Sequence, residues 1–195
     1  MAQRAPTTSP PPTDETLAAA ASRGCRSSFE QLAVRHQVAL VHFLRRWVDA
    51  EQADDLAQDT LLRAWNNLHR YRPNWEFRTW LFTIARRLTL NAIRRRKPAA
   101  AVDLSSIVDT TAGPDDAMAR ADSRRRLWQL AAQLLNEREM TALWLYYAED
   151  MPTGEIAQVV RRSPSAVKTM LFRARKKLQH ALTAQSNQTA TVGDL

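Results

Sequence analysis

The sequence predicts an all-α protein with two small helical domains joined by a flexible acidic linker. Apolar residues recur at three- and four-residue spacing along most of the 195 residues, and no alternating run is long enough to indicate a strand. A central stretch, 98–119, has four aspartates, two prolines and one glycine but no basic residue, which is typical of a linker. The predicted organisation is a disordered tail at 1–22, domains at 23–97 and 120–182 around the linker, and a disordered tail at 183–195.

Composition excludes several classes of protein. The net charge is +8, and 45% hydrophobic with 25% charged residues is ordinary for a globular chain. Four scattered glycines cannot build a phosphate-binding loop, and four scattered histidines with one cysteine do not make a metal site, so neither cofactor nor metal is expected. No segment is apolar enough for a membrane span or a secretory signal, and the single Cys25, whose redox role is left open, fits a reducing cytoplasm.

Three helices are predicted in the first domain, at about 27–49, 53–68 and 77–97. Each carries an apolar stripe at helical spacing, and Pro73 interrupts the pattern between the second and the third. The second helix is acidic at its start, with five acids before its first cation, which is more than the helix dipole explains. An acidic helix face beside basic segments predicts a basic protein partner.

The second domain is predicted to end in a helix-turn-helix. Helical spacing resumes at Arg120, and Asn136 with Glu139 forms a capping-box pattern for the next helix. Two helices follow at 153–160 and from 163 to about 182, and Ser163 and Pro164 suit the cap and the first position of the second. A plain helical hairpin is the alternative for this segment. In a helix-turn-helix, the second helix would lie in the major groove of DNA.

Two basic segments, one in each domain, contain no acid. Six basic residues lie between Arg86 and Lys97, and seven lie between Arg161 and Lys177. One such run is usually a solvated face, but two predict nucleic-acid binding. Ahead of the first run, Tyr71 and Trp75 lie in the interhelical loop, where aromatic rings beside cations suit unstacked bases.

Together these segments resemble a bacterial sigma factor of the sigma-70 family, of the compact extracytoplasmic-function (ECF) group. The resemblance rests on DDLAQDTLLRAW, FRTWLFTIARRLTLNAIRRRK and EIAQVV followed by SAVKTMLFRARKKL, and it covers about 29–97 and 124–178. It implies that 23–97 is region two and that 120–182 is region four. The implied function is to bind core RNA polymerase, recognise promoter DNA and promote its melting, without enzymatic chemistry and commonly under an anti-sigma factor.

The resemblance also assigns roles to residues of both domains. The residues implied to bind polymerase are Asp55, Gln58, Asp59 and Leu62. The resemblance implies that the loop at 70–76 and the third helix bind minus-ten DNA, through Tyr71, Trp75, Arg86, Arg87, Asn91, Arg94 and Arg95. Minus-thirty-five DNA falls to the last helix, through Ser165, Ala166, Lys168, Thr169, Phe172, Arg173 and Lys176.

The chain departs from the family pattern at three places. Arg87 stands where the family usually has the asparagine of IARN. Arg161 and Arg162 stand in the helix-turn-helix turn, where a glycine is common, and Gly154 stands where a good helix former is usual.

Two other functions fit parts of the pattern. A stand-alone helix-turn-helix regulator would need neither the acidic helix nor the second cationic helix. A nucleic-acid enzyme such as a recombinase would need carboxylates or a nucleophile in a basic cleft, and the acids here cluster away from the cations.

Overall fold

The computed structural model describes residues 11–72, 74–95 and 114–192, with side chains at 11–72, 74–95 and 123–184. All regular structure in these ranges is helical, which confirms the predicted all-α class. The elements are α1 (Asp14–Ser22), α2 (Arg26–Leu44), α3 (Ala50–Asn66), a 3-10 turn (Leu68–Arg70), α4 (Phe77–Arg95), α5 (Pro114–Leu134), α6 (Glu137–Tyr147), α7 (Thr153–Val160) and α8 (Pro164–Val192).

The first domain packs α2, α3 and α4 around an aromatic and aliphatic core. The helices α2 and α3 are antiparallel, since Phe29 near the start of α2 lies 5.1 Å from Trp65 near the end of α3, measured between ring centroids. Phe82 of α4 meets Phe43 of α2 edge-on at 5.4 Å, a favourable ring geometry. The stripes predicted from helical spacing therefore form the core of this domain.

The helix α1 corrects the prediction of a disordered tail over 1–22. Thr13 caps it by accepting from the Thr16 N–H, and Leu17 is buried against the first domain. Arg35 of α2 donates to Asp14 at 2.8 Å, which ties the two helices together. An alanine-rich segment is an excellent helix former once the prolines end at Pro12, and this propensity was missed.

The second domain is built from α5 to α8. Trp128 of α5 and Trp144 of α6 are buried with ring centroids 4.9 Å apart. The predicted capping box is present, because Asn136 accepts from the Glu139 N–H and Glu139 accepts from the Asn136 N–H, both at 3.0 Å. Helix α8 begins at Pro164 as predicted, and Ser163 accepts from the Ala166 N–H.

The helix-turn-helix forms despite its arginine-containing turn. Arg161 has φ 54° and ψ 58°, the left-handed conformation that glycine adopts most easily, and the Arg162 N–H donates to the Ala157 carbonyl at 2.9 Å. Arginine thus closes α7 with the hydrogen bonds of an ordinary helix end. No heavy atom lies within 4 Å of a Cβ built on Gly154, so packing does not require glycine there.

Two predicted boundaries were wrong. Helix α5 begins at Pro114, inside the stretch assigned to the linker, because proline is favoured at the first helical position. Helix α8 continues to Val192, past the predicted end near 182, because residues 183–192 contain neither glycine nor proline to stop it. The rest of the predicted linker, 98–113, lies outside the described residues.

The two domains are in direct contact through α4 and α7. The guanidinium of Arg86 donates to both carboxylate oxygens of Glu137 at 2.7 Å and to the Val159 carbonyl at 3.3 Å. Thr79 donates to Glu155 at 2.6 Å, and its side chain is fully buried. These polar contacts hold the basic helix of the first domain against the second domain.

A buried arginine completes the interface. Arg46, at the end of α2, lies 4.3 Å from the ring centroid of Trp144 and 5.8 Å from that of Trp128, so a cation of one domain stacks on two rings of the other. Burial, with a smaller effect of neighbouring Arg45, lowers the pKa of Arg46 to about 10. Its two terminal nitrogens have no hydrogen-bond partner among the described residues.

Candidate polymerase-binding and nucleic-acid-binding surfaces

The outer face of α3 combines acids with one exposed apolar side chain. Asp55 and Gln58 are exposed, and Asp59 pairs with Arg63 of the next turn at 2.9 Å. Leu62 is 61% exposed, although its neighbours Thr60 and Ala64 are fully buried. A single exposed leucine is common on protein surfaces, so Leu62 supports a protein interface only together with the acidic residues beside it.

Helix α2 adds apolar surface that sequence reasoning missed. Val34 is 75% exposed and Val38 is 63% exposed, on the helix that packs antiparallel to α3. They stand one helical turn apart on one face, and the interruption of the apolar stripe at these positions was the available signal.

The outer face of α8 is basic and open to solvent. Val167, Leu171, Ala174 and Leu178 are buried as predicted, so the opposite face points outward. Six of the seven side chains assigned to minus-thirty-five DNA are exposed, and Ala166 is half-buried; the exposed ones are Ser165, Lys168, Thr169, Phe172, Arg173 and Lys176. An exposed phenylalanine on such a face suits contact with a thymine methyl group.

The two aromatic residues of the interhelical loop that were assigned to DNA differ in their exposure to solvent. Tyr71 is buried, its ring packs against Phe77 and Trp80, and its hydroxyl donates to the Trp75 carbonyl at 2.6 Å. Burial, followed by nearby carboxylates, raises the pKa of Tyr71 to about 12. Trp75 is 36% exposed. In this conformation Tyr71 supports the loop from inside, and only Trp75 presents a ring to solvent.

Arg86 is unavailable to nucleic acid in this arrangement. It was assigned to minus-ten DNA, but the residue is 8% exposed and its guanidinium is paired with Glu137 of the second domain. The other assigned residues of α4 remain accessible: Arg87, Asn91, Arg94 and Arg95 are exposed. The sequence could not reveal the pairing, because Glu137 lies 51 residues away.

A cleft of about 750 Å³ lies between α2 and the second domain. Its walls include the apolar residues Leu127, Trp128, Leu143 and Trp144. Arg124, Arg125, Arg175 and His42 contribute positive or titratable groups, against the single acid Glu149. Burial raises the pKa of Glu149, and the Trp144 side chain, followed by the charge of Arg78, opposes this shift. The cleft therefore offers apolar walls with a basic border.

The described residues show neither a metal-ligand cluster nor a membrane span. No group of three or more histidine, cysteine, aspartate or glutamate side chains among them could hold a metal ion. None of their helices is both long enough and apolar enough to span a bilayer.

Family comparisons account for both domains. The model of sigma-70 region 2 matches residues 32–99, and that of sigma-70 region 4 matches residues 125–178. RNA polymerase sigma factor YlaC of Bacillus subtilis strain 168 is 32% identical over 163 residues, which cover 81% of this chain and 94% of YlaC. The chain belongs to the sigma-70 family. It is an ECF sigma factor that acts in transcription initiation, with core RNA polymerase and promoter DNA as its partners.

Relatives in the sigma-70 family match nearly the whole chain. RNA polymerase sigma factor CnrH of Cupriavidus metallidurans CH34 is 31% identical over 194 residues, covering 92% of this chain and 99% of CnrH. The structure of CnrH in complex with the cytosolic domain of CnrY has a TM-score of 0.69, at 28% identity, over 88% of this chain and 97% of that one. The sigma factor RpoE of Bartonella quintana shares the fold, at a TM-score of 0.66 and 21% identity.

Membership in the sigma-70 family confirms the predicted identity of both domains. The predicted region two and region four coincide with the two matched segments, apart from their ends. Sigma factors are not enzymes in the usual sense. The roles of single residues in binding polymerase and DNA stay predictions.

Proposed function

We propose that the chain uses three separate surfaces to bring polymerase to a promoter, and that the domain contact covers Arg86 of one of them in the free protein. The outer face of α3 binds core polymerase, the outer face of α8 reads the minus-thirty-five element, and α4 with the Trp75 loop captures the minus-ten strand. The protein performs no covalent chemistry, and it works in the cytoplasm, where polymerase and DNA are. The observation that carries this proposal is that the first two faces are exposed while Arg86 of α4 is paired with Glu137.

The distance between promoter elements requires the two domains to separate. Elements centred near minus ten and minus thirty-five lie about 25 base pairs apart, on the order of 80 Å along DNA at about 3.4 Å per base pair. The domains touch in this structure, with Arg86 and Glu137 at 2.7 Å. Eighteen residues lie between Arg95 and Pro114, and such a segment spans up to about 60 Å when extended. The linker and the domains themselves can therefore cover the distance once the contact between α4 and α7 opens.

An anti-sigma factor is the expected regulator. CnrH, whose solved complex contains the cytosolic domain of CnrY, resembles this chain over most of its length. The cleft of about 750 Å³ offers apolar walls and a basic border, which suit an amphipathic helix with acidic flanks. A partner bound there would touch α2 and the second domain together and would favour the closed arrangement.

The polymerase face is tested by Asp59→Arg in the full-length chain. Core polymerase should bind at least about tenfold more weakly, because the substitution places a cation on a face that meets a basic partner. Arginine is a good helix former, so far-UV circular dichroism should remain unchanged. Unaltered affinity for core polymerase would remove this face from the proposal.

The minus-thirty-five face is tested by comparing two arginines on opposite sides of α8. Arg173 lies on the outward face, whereas Arg175 donates to the Tyr147 hydroxyl at 3.3 Å. Arg173→Ala should weaken binding of duplex promoter by the holoenzyme and reduce its salt dependence by about one unit of slope if it contacts a phosphate. Arg175→Ala removes the same charge and should have little effect. Equal losses in the two variants would mean that the face is not specific.

A further inference from the structure

We propose that a cleft between the two domains binds a free nucleotide with two or more phosphates, and that the bound nucleotide stabilises the closed arrangement. This small-molecule site goes beyond promoter recognition, but it rests on the proposed opening of the domains and shares Arg87 and Asn91 with the proposed minus-ten surface. The cleft measures about 400 Å³, within the usual range for small-ligand sites. Its lining comes from α3, the 3-10 turn, α4 and the α7–α8 turn: Arg63, Asn67, Arg70, Trp80, Thr83, Ile84, Arg87, Leu88, Asn91 and Arg161.

Three of the four arginines in this arginine cleft have no charge partner among the described residues. Four arginines and no carboxylate line it. Arg63 is paired with Asp59, but the side chains of Arg70, Arg87 and Arg161 make no hydrogen bond or ion pair with any described residue. Three guanidinium groups around one small cavity repel each other, and an anion between them would relieve the repulsion. Planar guanidinium groups bind phosphate oxygens through paired hydrogen bonds, which makes phosphate the anion of choice.

One side of the arginine cleft suits a base rather than a phosphate. Trp80, Ile84 and Leu88 stand at helical spacing on α4 and supply apolar contact surface. Asn91, one turn further along, is exposed and carries an amide that can both donate and accept. Arginines beside an aromatic and aliphatic wall match a nucleotide, whose phosphates and base need these two environments.

Arg161 makes the site a property of the closed protein. On α4, Arg86 donates to the carbonyl of Val159, two residues before Arg161, and this contact brings the α7–α8 turn to the arginine cleft. When the domains separate to span a promoter, Arg161 leaves and the other three arginines stay with the first domain. A DNA strand bound to α4 in the holoenzyme would therefore not use Arg161, whereas a free nucleotide in the closed protein would.

The backbone at Arg161 has a conformation that is costly for an arginine side chain. The left-handed conformation at φ 54° is easy for glycine and unfavourable for arginine. Glycine would close α7 equally well, but it would remove a guanidinium from the cleft. Strain of this kind often accompanies a functional side chain.

The test is calorimetric titration of the full-length protein with ATP, without magnesium and at physiological salt. We expect saturable binding of one ATP per chain, and Arg161→Ala should weaken it about tenfold or more through loss of a charge-assisted contact. Arg162→Ala is the matched control, because this neighbour carries the same charge but lines a different cleft. It should change the affinity by less than about twofold, since general electrostatics is all that it loses.

Two further probes identify the ligand class and the coupled conformation. Inorganic triphosphate should bind at least about tenfold more weakly than ATP, because it lacks a base for the apolar wall. Energy transfer between labels on Cys25 and on an introduced Gln133→Cys should report a larger closed fraction with ATP, and Arg161→Ala should abolish this response.

Several outcomes would overturn the proposal. Absence of saturable ATP binding at millimolar concentration would do so, as would equal weakening by Arg161→Ala and Arg162→Ala. Triphosphate that binds as tightly as ATP would exclude the nucleotide. If ATP does not bind, but the binding of a twelve-nucleotide thymidine strand is weakened by Arg161→Ala, the arginine cleft would be reassigned to single-stranded DNA.

Discussion

Replacing Glu137 by glutamine tests whether the domain contact keeps Arg86 of α4 from binding DNA. Glu137 receives two hydrogen bonds of 2.7 Å from Arg86, and the side chains are only 24% and 10% exposed. Hydrogen bonds to charged groups contribute about 1.5–3 kcal/mol each, and glutamine keeps one acceptor oxygen. A loss of about 2 kcal/mol would shift the equilibrium between closed and open domains about 30-fold towards the open state.

The assay measures the distance between domains and the binding of single-stranded DNA together. Labels on Cys25 and on Gln133→Cys report the closed fraction, and a minus-ten oligonucleotide reports access to Arg86. Glu137→Gln should lower the closed fraction and tighten oligonucleotide binding. Glu30→Gln is the control, because its partner Arg26 lies in the same helix and both side chains are exposed. If both variants leave the distance unchanged, Glu137 does not hold the domains together. If Glu137→Gln opens the domains without improving DNA binding, Arg86 does not contribute to binding the minus-ten strand.

Three other predictions follow from single side chains. Arg46→Met should preserve or raise the melting temperature, because it replaces a buried cation whose terminal nitrogens lack partners in the described chain. Trp144→Ala should lower the melting temperature strongly. A large decrease in melting temperature with Arg46→Met would contradict this prediction. Hydrogen bonds with Ser27 and then Ser28 lower the pKa of Cys25 to about 7, so the alkylation rate of Cys25 should rise through pH 7. The double variant Ser27→Ala, Ser28→Ala should move the midpoint of this pH profile upward. A wild-type profile like that of free cysteine would refute the prediction. Trp75→Ala should keep the fold, because Tyr71 bonds the Trp75 backbone, yet impair promoter opening as read by permanganate reactivity of thymines; normal opening or an unfolded variant would count against a role in base capture.

The helix-turn-helix shows how much of this protein is encoded locally. The capping box at Asn136, the start of α8 at Pro164 and the inward face of α8 all followed from spacing and cap chemistry, and all are present. Such features depend on residues within about two helical turns, so the sequence itself contains both partners. The acidic outer face of α3 was predictable for the same reason, whereas Leu62 was assigned to it only through the family resemblance.

Two errors, at the two ends of the chain, arose because the local helix propensity of the sequence was overlooked. The helix α1 has a threonine cap and an alanine-rich body, and α8 runs on through a segment without breakers. Polar composition at the chain ends was interpreted as disorder, although alanine favours helix and Leu17 finds a place in the core.

Accessibility within the basic run of α4 and within the interhelical loop was decided by tertiary structure. Arg86 and Arg87 are neighbours in one basic run, yet Arg86 is buried against Glu137 while Arg87 opens into the arginine cleft. Tyr71 and Trp75 are four residues apart in one loop, yet only Trp75 is in solvent. The sequence determines which helices form and which face of each is apolar, because these properties depend on neighbours three or four positions away. Which charge meets which partner across 51 residues depends on how whole domains pack, and no local pattern contains that information.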